Sequence, residues 1–169
     1  MIRPIVKFGD PVLHSRAADV PAIDDHVQTL IDDMIETMYA APGIGLAAPQ
    51  IGVSLRVFVI DLSSGQNPDD LIVMANPEFV GQEGLQLEEE GCLSVPGFNA
   101  TVVRATRVVV RGLDRTGTSR IVEGTNLQAR AFQHEMDHLD GKLFVDRLRG
   151  IKRDLIVRKI RKMIKAGTW

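Results

Sequence analysis

Apolar positions recur with a helical period from Asp24 to Tyr39: Val27, Leu30, Ile31, Met34, Ile35 and Met38 fall on one face. Asp24 or Asp25 is placed to cap that helix. The stretch APGIGLAAPQIG at 41–52 is too rich in Pro and Gly for a regular helix. LRVFVID (55–61) and LIVMAN (71–76) read as strands around the loop SSGQNPDD. Residues 79–90 alternate only in part. TVVRATRVVVRGL (101–113) and SRIVEG (119–124) read as a hairpin turning at 114–117. A second helix is expected over about 126–139, stopping at Asp140–Gly141, and a third over about 152–165 with apolar Leu155, Ile156, Ile160, Met163 and Ile164. No repeat or interdomain linker interrupts this order. It predicts one α+β domain over residues 1–169, with mostly antiparallel sheets packed around a central helix and helices near both ends.

Composition narrows the chemistry. The chain has 169 residues, 44% of them hydrophobic and 25% charged, which suits a packed globular domain rather than a disordered one. There is a single cysteine, so an internal disulfide and any multi-thiolate cluster held by this chain are excluded. Cys92 is left as a core thiol, a nucleophile or one ligand in a mixed metal site. No apolar run reaches membrane-spanning length and no signal or transit segment stands at the start, so a cytoplasmic location is expected.

The net charge of −2 hides an asymmetry. Residues 147–169 carry nine basic side chains against Asp154 alone, a net of +8, and the preceding residues carry −10. A basic tail on an acidic body suits contact with a polyanion, or a solvated helix paired with its own body.

The second helix contains His134–Glu135–Met136–Asp137–His138. Histidines at i and i+4 differ by about 40° around a helix, so both imidazoles reach one metal ion. Glu135 lies beside that ion, as a general base toward activated water. Cys92, in Glu90–Gly91–Cys92–Leu93–Ser94 after a strand-like segment, is the best candidate for a third ligand. Three protein ligands leave a position open, as catalytic sites do. Gly43–Ile44–Gly45–Leu46–Ala47–Ala48–Pro49–Gln50 formally contains G-x-G-x-x-A, but it follows a helix and is broken by Pro49, which argues against a dinucleotide site. It reads as backbone that approaches a ligand closely, with Gln50 supplying an amide donor.

Together GIGLAAPQ (43–50), EGCLS (90–94) and QHEMDHLDG (133–141) resemble the peptide deformylase family, whose three motifs stand intact and in order. The resemblance covers nearly the whole chain. It implies Cys92, His134 and His138 as ligands of one divalent metal, Fe²⁺ in vivo, replaceable by Zn²⁺, Ni²⁺ or Co²⁺. It implies Glu135 as the catalytic acid–base group, with Gln50 and the Leu93 N–H stabilising the oxyanion. Substrate contacts are expected at Gly45 and Gly91, with Ile44, Leu127 and Ala131 around a methionine pocket, and Glu90 is expected to pair with Arg104. The implied reaction removes the formyl group from N-formylmethionyl nascent peptides. The basic C-terminal helix then reads as a contact to the ribosome, without sequence-specific nucleic-acid recognition. The position of Asn99 lacks the basic residue that some bacterial members carry. The competing enzyme reading is a zinc endopeptidase, which shares H-E-x-x-H. Against it, no histidine follows His138.

Overall fold

A computed structural model describes residues 1–169. Helix α1 runs Asp25–Ala40. Its cap is Asp24, whose carboxylate accepts from the Val27 N–H at 2.9 Å. Val27, Leu30, Ile31, Met34 and Met38 are buried, and Ile35 packs partly buried against them, so the periodic face found its core. After α1 come strand β1 (Gly45–Ala47), a 3₁₀ turn over Ala48–Ile51, and strand β2 (Val57–Ile60).

Strand β3 (Ile72–Glu83) is longer than the sequence predicts, joining 71–76 to the start of the partly alternating segment. Its alternation is blurred because its pairing slips between Ala75 and Glu78 and again between Phe79 and Gly81. Asn76, at φ +50°, sits at the first slip, and its side-chain amide bonds both the N–H (2.7 Å) and the carbonyl (2.9 Å) of Val20.

Strands β4 (Gln86–Gly91), β5 (Asn99–Arg104), β6 (Arg107–Leu113) and β7 (Ser119–Thr125) complete the sheets. The single strand expected over 101–113 is in fact two. The chain breaks at Ala105–Thr106, and β5 pairs with β4 in a small two-stranded sheet. The larger antiparallel sheet has the order β1-β2-β3-β6-β7. The break left no trace in the alternation: Val102, Arg104, Val108, Val110 and Gly112 are all buried and all even-numbered, so the phase runs straight through. The β6–β7 hairpin turns where predicted.

Helix α2 (Asn126–Leu139) has the predicted bounds and packs against the large sheet through Ala129, Phe132, Met136 and Leu139. Gly124 gives it room, because a Cβ there would stand 3.0 Å from the Phe132 ring. Helix α3 (Ile151–Ala166) ends at Gly167, φ +72°. Its buried contacts are Val157 and Ile160, with Ile156 partly buried, whereas Leu155 and Ile164 are half exposed. The helix lies on the protein through a narrower stripe than its apolar residues imply. Trp169 closes that end: its indole N–H donates to the Phe8 carbonyl at 2.9 Å and its ring packs on Phe98.

Candidate metal centre and active site

Successive turns of α2 bring His134 and His138 together, with their Nε2 atoms 3.2 Å apart. The loop leaving β4 places Cys92 Sγ 3.3 Å from His138 Nε2. These three side chains form the one cluster of potential metal donors, with ligand atoms within 4.8 Å of one another. The predicted third ligand is thus brought to the histidines from 42 residues away in sequence.

The donor chemistry fits a cation. Burial, and then neighbouring His134, pulls His138 well below its ordinary value, which leaves it a neutral imidazole. Burial acts against a charge on His134, but Cys92 and Glu90 outweigh it and raise its pKa well above the usual value. A divalent ion held by Cys92, His134 and His138 would take the place of that proton.

The histidines are held from behind. His134 Nδ1 lies 2.5 Å from Glu90 Oε1, which turns Nε2 toward Cys92 and His138. Burial works to raise the Glu90 pKa, yet His134 and Arg104 win and hold it well below the carboxylate range. Arg104 lies between carboxylates, 2.6 Å from Glu90 and 2.7 Å from Asp137, and all three are almost fully buried. Arg130 adds a second contact to Glu90 at 2.6 Å, and Arg147 one to Asp137 at 2.6 Å. The expected Glu90–Arg104 pair is present. Arg130 and Arg147 were not anticipated; the available signal for Arg130 was a charge flanked by Ala129 and Ala131 on a helix that must be buried.

Removing Arg104 leaves two buried carboxylates short of a partner. Arg104→Met is expected to destabilise the protein by about 3 kcal/mol, the lower end for a broken buried pair, because Arg130 and Arg147 remain. Thermal unfolding checks this; a midpoint within error of the wild type would show the network to be slack.

In front of the ligands lies a cavity of about 400 Å³. Ile44, Gly45, Gln50, Gly91, Cys92, Leu93, Leu127, Ala131, His134 and Glu135 all line it, as do Gly43, Glu89, Glu90 and Arg130. His138 lies beneath it, fully buried. Leu127 stands at the rim, 52% exposed, whereas Ala131 is buried. Glycine at position 45 leaves room for the Glu135 carboxylate, since a Cβ there would stand 2.5 Å from Oε1 and force it to shift.

Glu135 is buried and its Oε2 has no hydrogen-bond partner. Burial pushes its pKa up to about 7, against the pull of His134. A carboxyl shifted upward by burial in this way suits general acid–base chemistry. Gln50 is oriented by the Ala47 N–H, which donates to its Oε1 at 3.0 Å. Its amide nitrogen donates to Ser94 Oγ at 3.2 Å and reaches Cys92 Sγ at 3.6 Å. The side chains of all three sequence segments therefore converge on one cavity.

Comparison with known proteins places the chain among relatives along its whole length. The family model described as Polypeptide deformylase matches residues 2–154. A peptide deformylase of Acidobacterium capsulatum is 55% identical over 169 residues, covering 100% of this chain and 99% of that protein. The crystal structure of a peptide deformylase from Legionella pneumophila superposes with a TM-score of 0.91 at 48% identity, covering 99% of this chain and 98% of that one. A peptide deformylase from Synechococcus elongatus in complex with actinonin gives 0.87 at 40% identity, covering 95% of this chain and 90% of that one. The endopeptidase reading of H-E-x-x-H falls with these matches. Matched by the family model over residues 2–154 and by relatives along its whole length, the chain belongs to the polypeptide deformylase family.

Proposed function

We propose that this chain, acting as one catalytic unit over residues 1–169, removes the formyl group from the N-terminal formylmethionine of newly made polypeptides and releases formate. The observation that carries the reading is the Cys92–His134–His138 cluster at the base of a cavity that Glu135 and Gln50 also line. Cys92, His134 and His138 hold one divalent ion. Bound there, it supplies Lewis acidity, making water a stronger acid and polarising a carbonyl oxygen. The ion is Fe²⁺ in the cell, and Zn²⁺, Ni²⁺ or Co²⁺ can take its place, because a mixed sulfur and nitrogen site suits all four.

Glu135 accepts a proton from the attacking water as the water oxygen bonds to the formyl carbon. The side-chain amide of Gln50 and the backbone N–H of Leu93 donate to the formyl oxygen as negative charge develops on it. The carbon–nitrogen bond then breaks, and Glu135 delivers its proton to the departing nitrogen. Formate and a free amino group result.

The peptide lies extended. β1 ends the large sheet and pairs only with β2, and β4 pairs only with β5, so both strands offer free edges beside the cavity. Backbone bonds to Gly45 and Gly91 hold such a chain with little regard to its sequence. Ile44, Leu127 and Ala131 wall the methionine side chain.

The test is one anaerobic preparation assayed for metal, for formate release from formyl-Met-Ala-Ser and for cleavage of casein. Metal near one equivalent, formate release and intact casein are expected. A metal-loaded sample that releases no formate would refute the reading.

No helix of the protein is long and apolar enough to cross a membrane. An enzyme that acts on nascent chains belongs in the bacterial cytoplasm, beside the ribosome. Arg158, Lys159, Arg161 and Lys162 are all exposed on α3, and ribosomal RNA is the polyanion we assign to them. Reversing Lys159, Arg161 and Lys162 to glutamate is expected to abolish ribosome cosedimentation at low salt and leave formate release unchanged, and the wild-type interaction should weaken steeply with added salt. Unchanged cosedimentation of the triple variant would remove the assignment.

A further inference from the structure

Asp61 follows β2 directly, is fully buried and lies outside the catalytic cavity. One carboxylate oxygen accepts from the Ser63 N–H at 2.9 Å and the Ser63 hydroxyl at 2.7 Å. The other accepts from the Gly65 N–H at 3.0 Å and from the Tyr39 hydroxyl. Its backbone N–H donates to the Ile44 carbonyl at 2.8 Å. A local turn would account for Ser63 and Gly65, as aspartates at loop starts commonly do. It does not account for Tyr39, which reaches in from the last turn of α1. Nor does it account for a carboxylate taken wholly out of water, which is costly unless every lone pair is used.

What these bonds share is the segment between them. Residues 41–44 connect α1 to β1, and Asp61 grips both ends: Tyr39 just before the segment by its side chain, Ile44 at its close by its backbone. β1 has only three residues and one neighbouring strand, and besides the Asp61 contacts its approach is tied to α1 by the Gly43 N–H, which donates to the Met38 carbonyl at 2.9 Å. Its first residue is Gly45, packed so closely on Glu135 that a Cβ there would stand 2.5 Å from Oε1 and displace the carboxylate. A small movement of Ile44 and Gly45 toward α2 therefore narrows the cavity, and a movement away opens its wall.

We infer that Asp61, with Tyr39, is a positioning residue for substrate binding: the staple sets the place of Ile44 and Gly45, and through them the fit of the formylmethionyl residue. This rests on the deformylase reading for its substrate, while the placement of β1 is measurable without it. Asp61→Asn puts a donor where two N–H or O–H donors point. Misplacing one wall of a site costs roughly ten- to a hundredfold in catalytic efficiency. Here the loss belongs in KM, because the wall binds the ground state and the transition state alike.

The experiment compares wild type, Asp61→Asn and Tyr39→Phe, each normalised to bound metal. For Asp61→Asn, KM for formyl-Met-Ala-Ser is expected to rise at least roughly tenfold with kcat within about twofold. Tyr39→Phe removes one of the four donors and should move KM the same way by less. Amide hydrogen exchange across residues 43–47 should quicken in both variants while exchange in α2 does not. A merely structural aspartate would lower the melting temperature and leave KM and local exchange as in the wild type, and that result overturns the proposal. A fall in kcat at constant KM overturns it as well. If Asp61→Asn does not fold, Tyr39→Phe decides by the same two readouts. If the wild type releases no formate, the deformylase reading fails, and exchange at 43–47 alone still decides whether the staple places β1.

Discussion

Glu135→Ala is expected to lose at least about a thousandfold in kcat while keeping its metal, within the range that a positioned general acid–base group contributes. The ligands do not depend on Glu135: His134 is oriented by Glu90, and His138 meets Cys92 directly. Stability should not fall with activity. The wild-type carboxyl is buried with an orphaned oxygen and a pKa pushed up to about 7. Alanine removes that desolvation, so the melting temperature is expected to stay level or rise, as is common where an active site is held at the expense of the fold. Metal analysis, steady-state formate release and thermal unfolding on one sample check all three points. A variant active within tenfold of wild type would remove Glu135 from the chemistry.

Cys92→Ala is expected to be the other near-complete loss, by a different route. The chain has one cysteine, so no second thiol can take over. Removing it leaves the two histidines of α2 as the only donors in the cluster. Changes to the groups that merely orient ligands cost some 10–100-fold, so loss of a ligand should exceed about a hundredfold in metal affinity. Metal content after dialysis is the direct measure, and activity should track it. In the wild type the same residue should resist thiol reagents when metal is bound and react once it is stripped, since the free thiolate is the nucleophile. Stoichiometric metal in Cys92→Ala would overturn the ligand set. Exposure to oxygen should inactivate the ferrous enzyme sooner than the zinc form, because a ferrous ion and a sulfur ligand are both open to oxidation.

Much of the site was legible because its parts are local. The i, i+4 spacing of His134 and His138 is a property of any helix, and the helix itself was marked by its apolar face and its Asp140–Gly141 stop. The Gly/Pro-rich stretch after α1 is ill suited to regular structure and marks the close-approach backbone with Gln50, whereas Gly45 stands out only through the family resemblance. The Glu90–Arg104 pair is expected from the sequence, whereas the lattice around it is not. Arg130 and Arg147 converge on Glu90 and Asp137 from positions whose separation in sequence carries no periodicity. Local pattern also misled at 101–113, where unbroken alternation concealed a change of sheet, and in α3, where Leu155 and Ile164 look like core and stand half exposed.

By itself, then, the sequence determined the three helices, the cap of the first and the stop of the second, most strands, the spacing of His134 and His138 and the motif set that marks the family. Each depends on neighbours within a few residues, where helix and strand periods act. Only the tertiary structure decided that the β4–β5 pair stands apart from the larger sheet, that Cys92 meets His138 at 3.3 Å, and that a buried lattice of arginines and carboxylates fixes His134. It alone placed Asp61 against Tyr39 and Ile44. Those contacts join segments tens of residues apart. Burial of the apolar faces selects the path that brings them together, and no period along the chain records it.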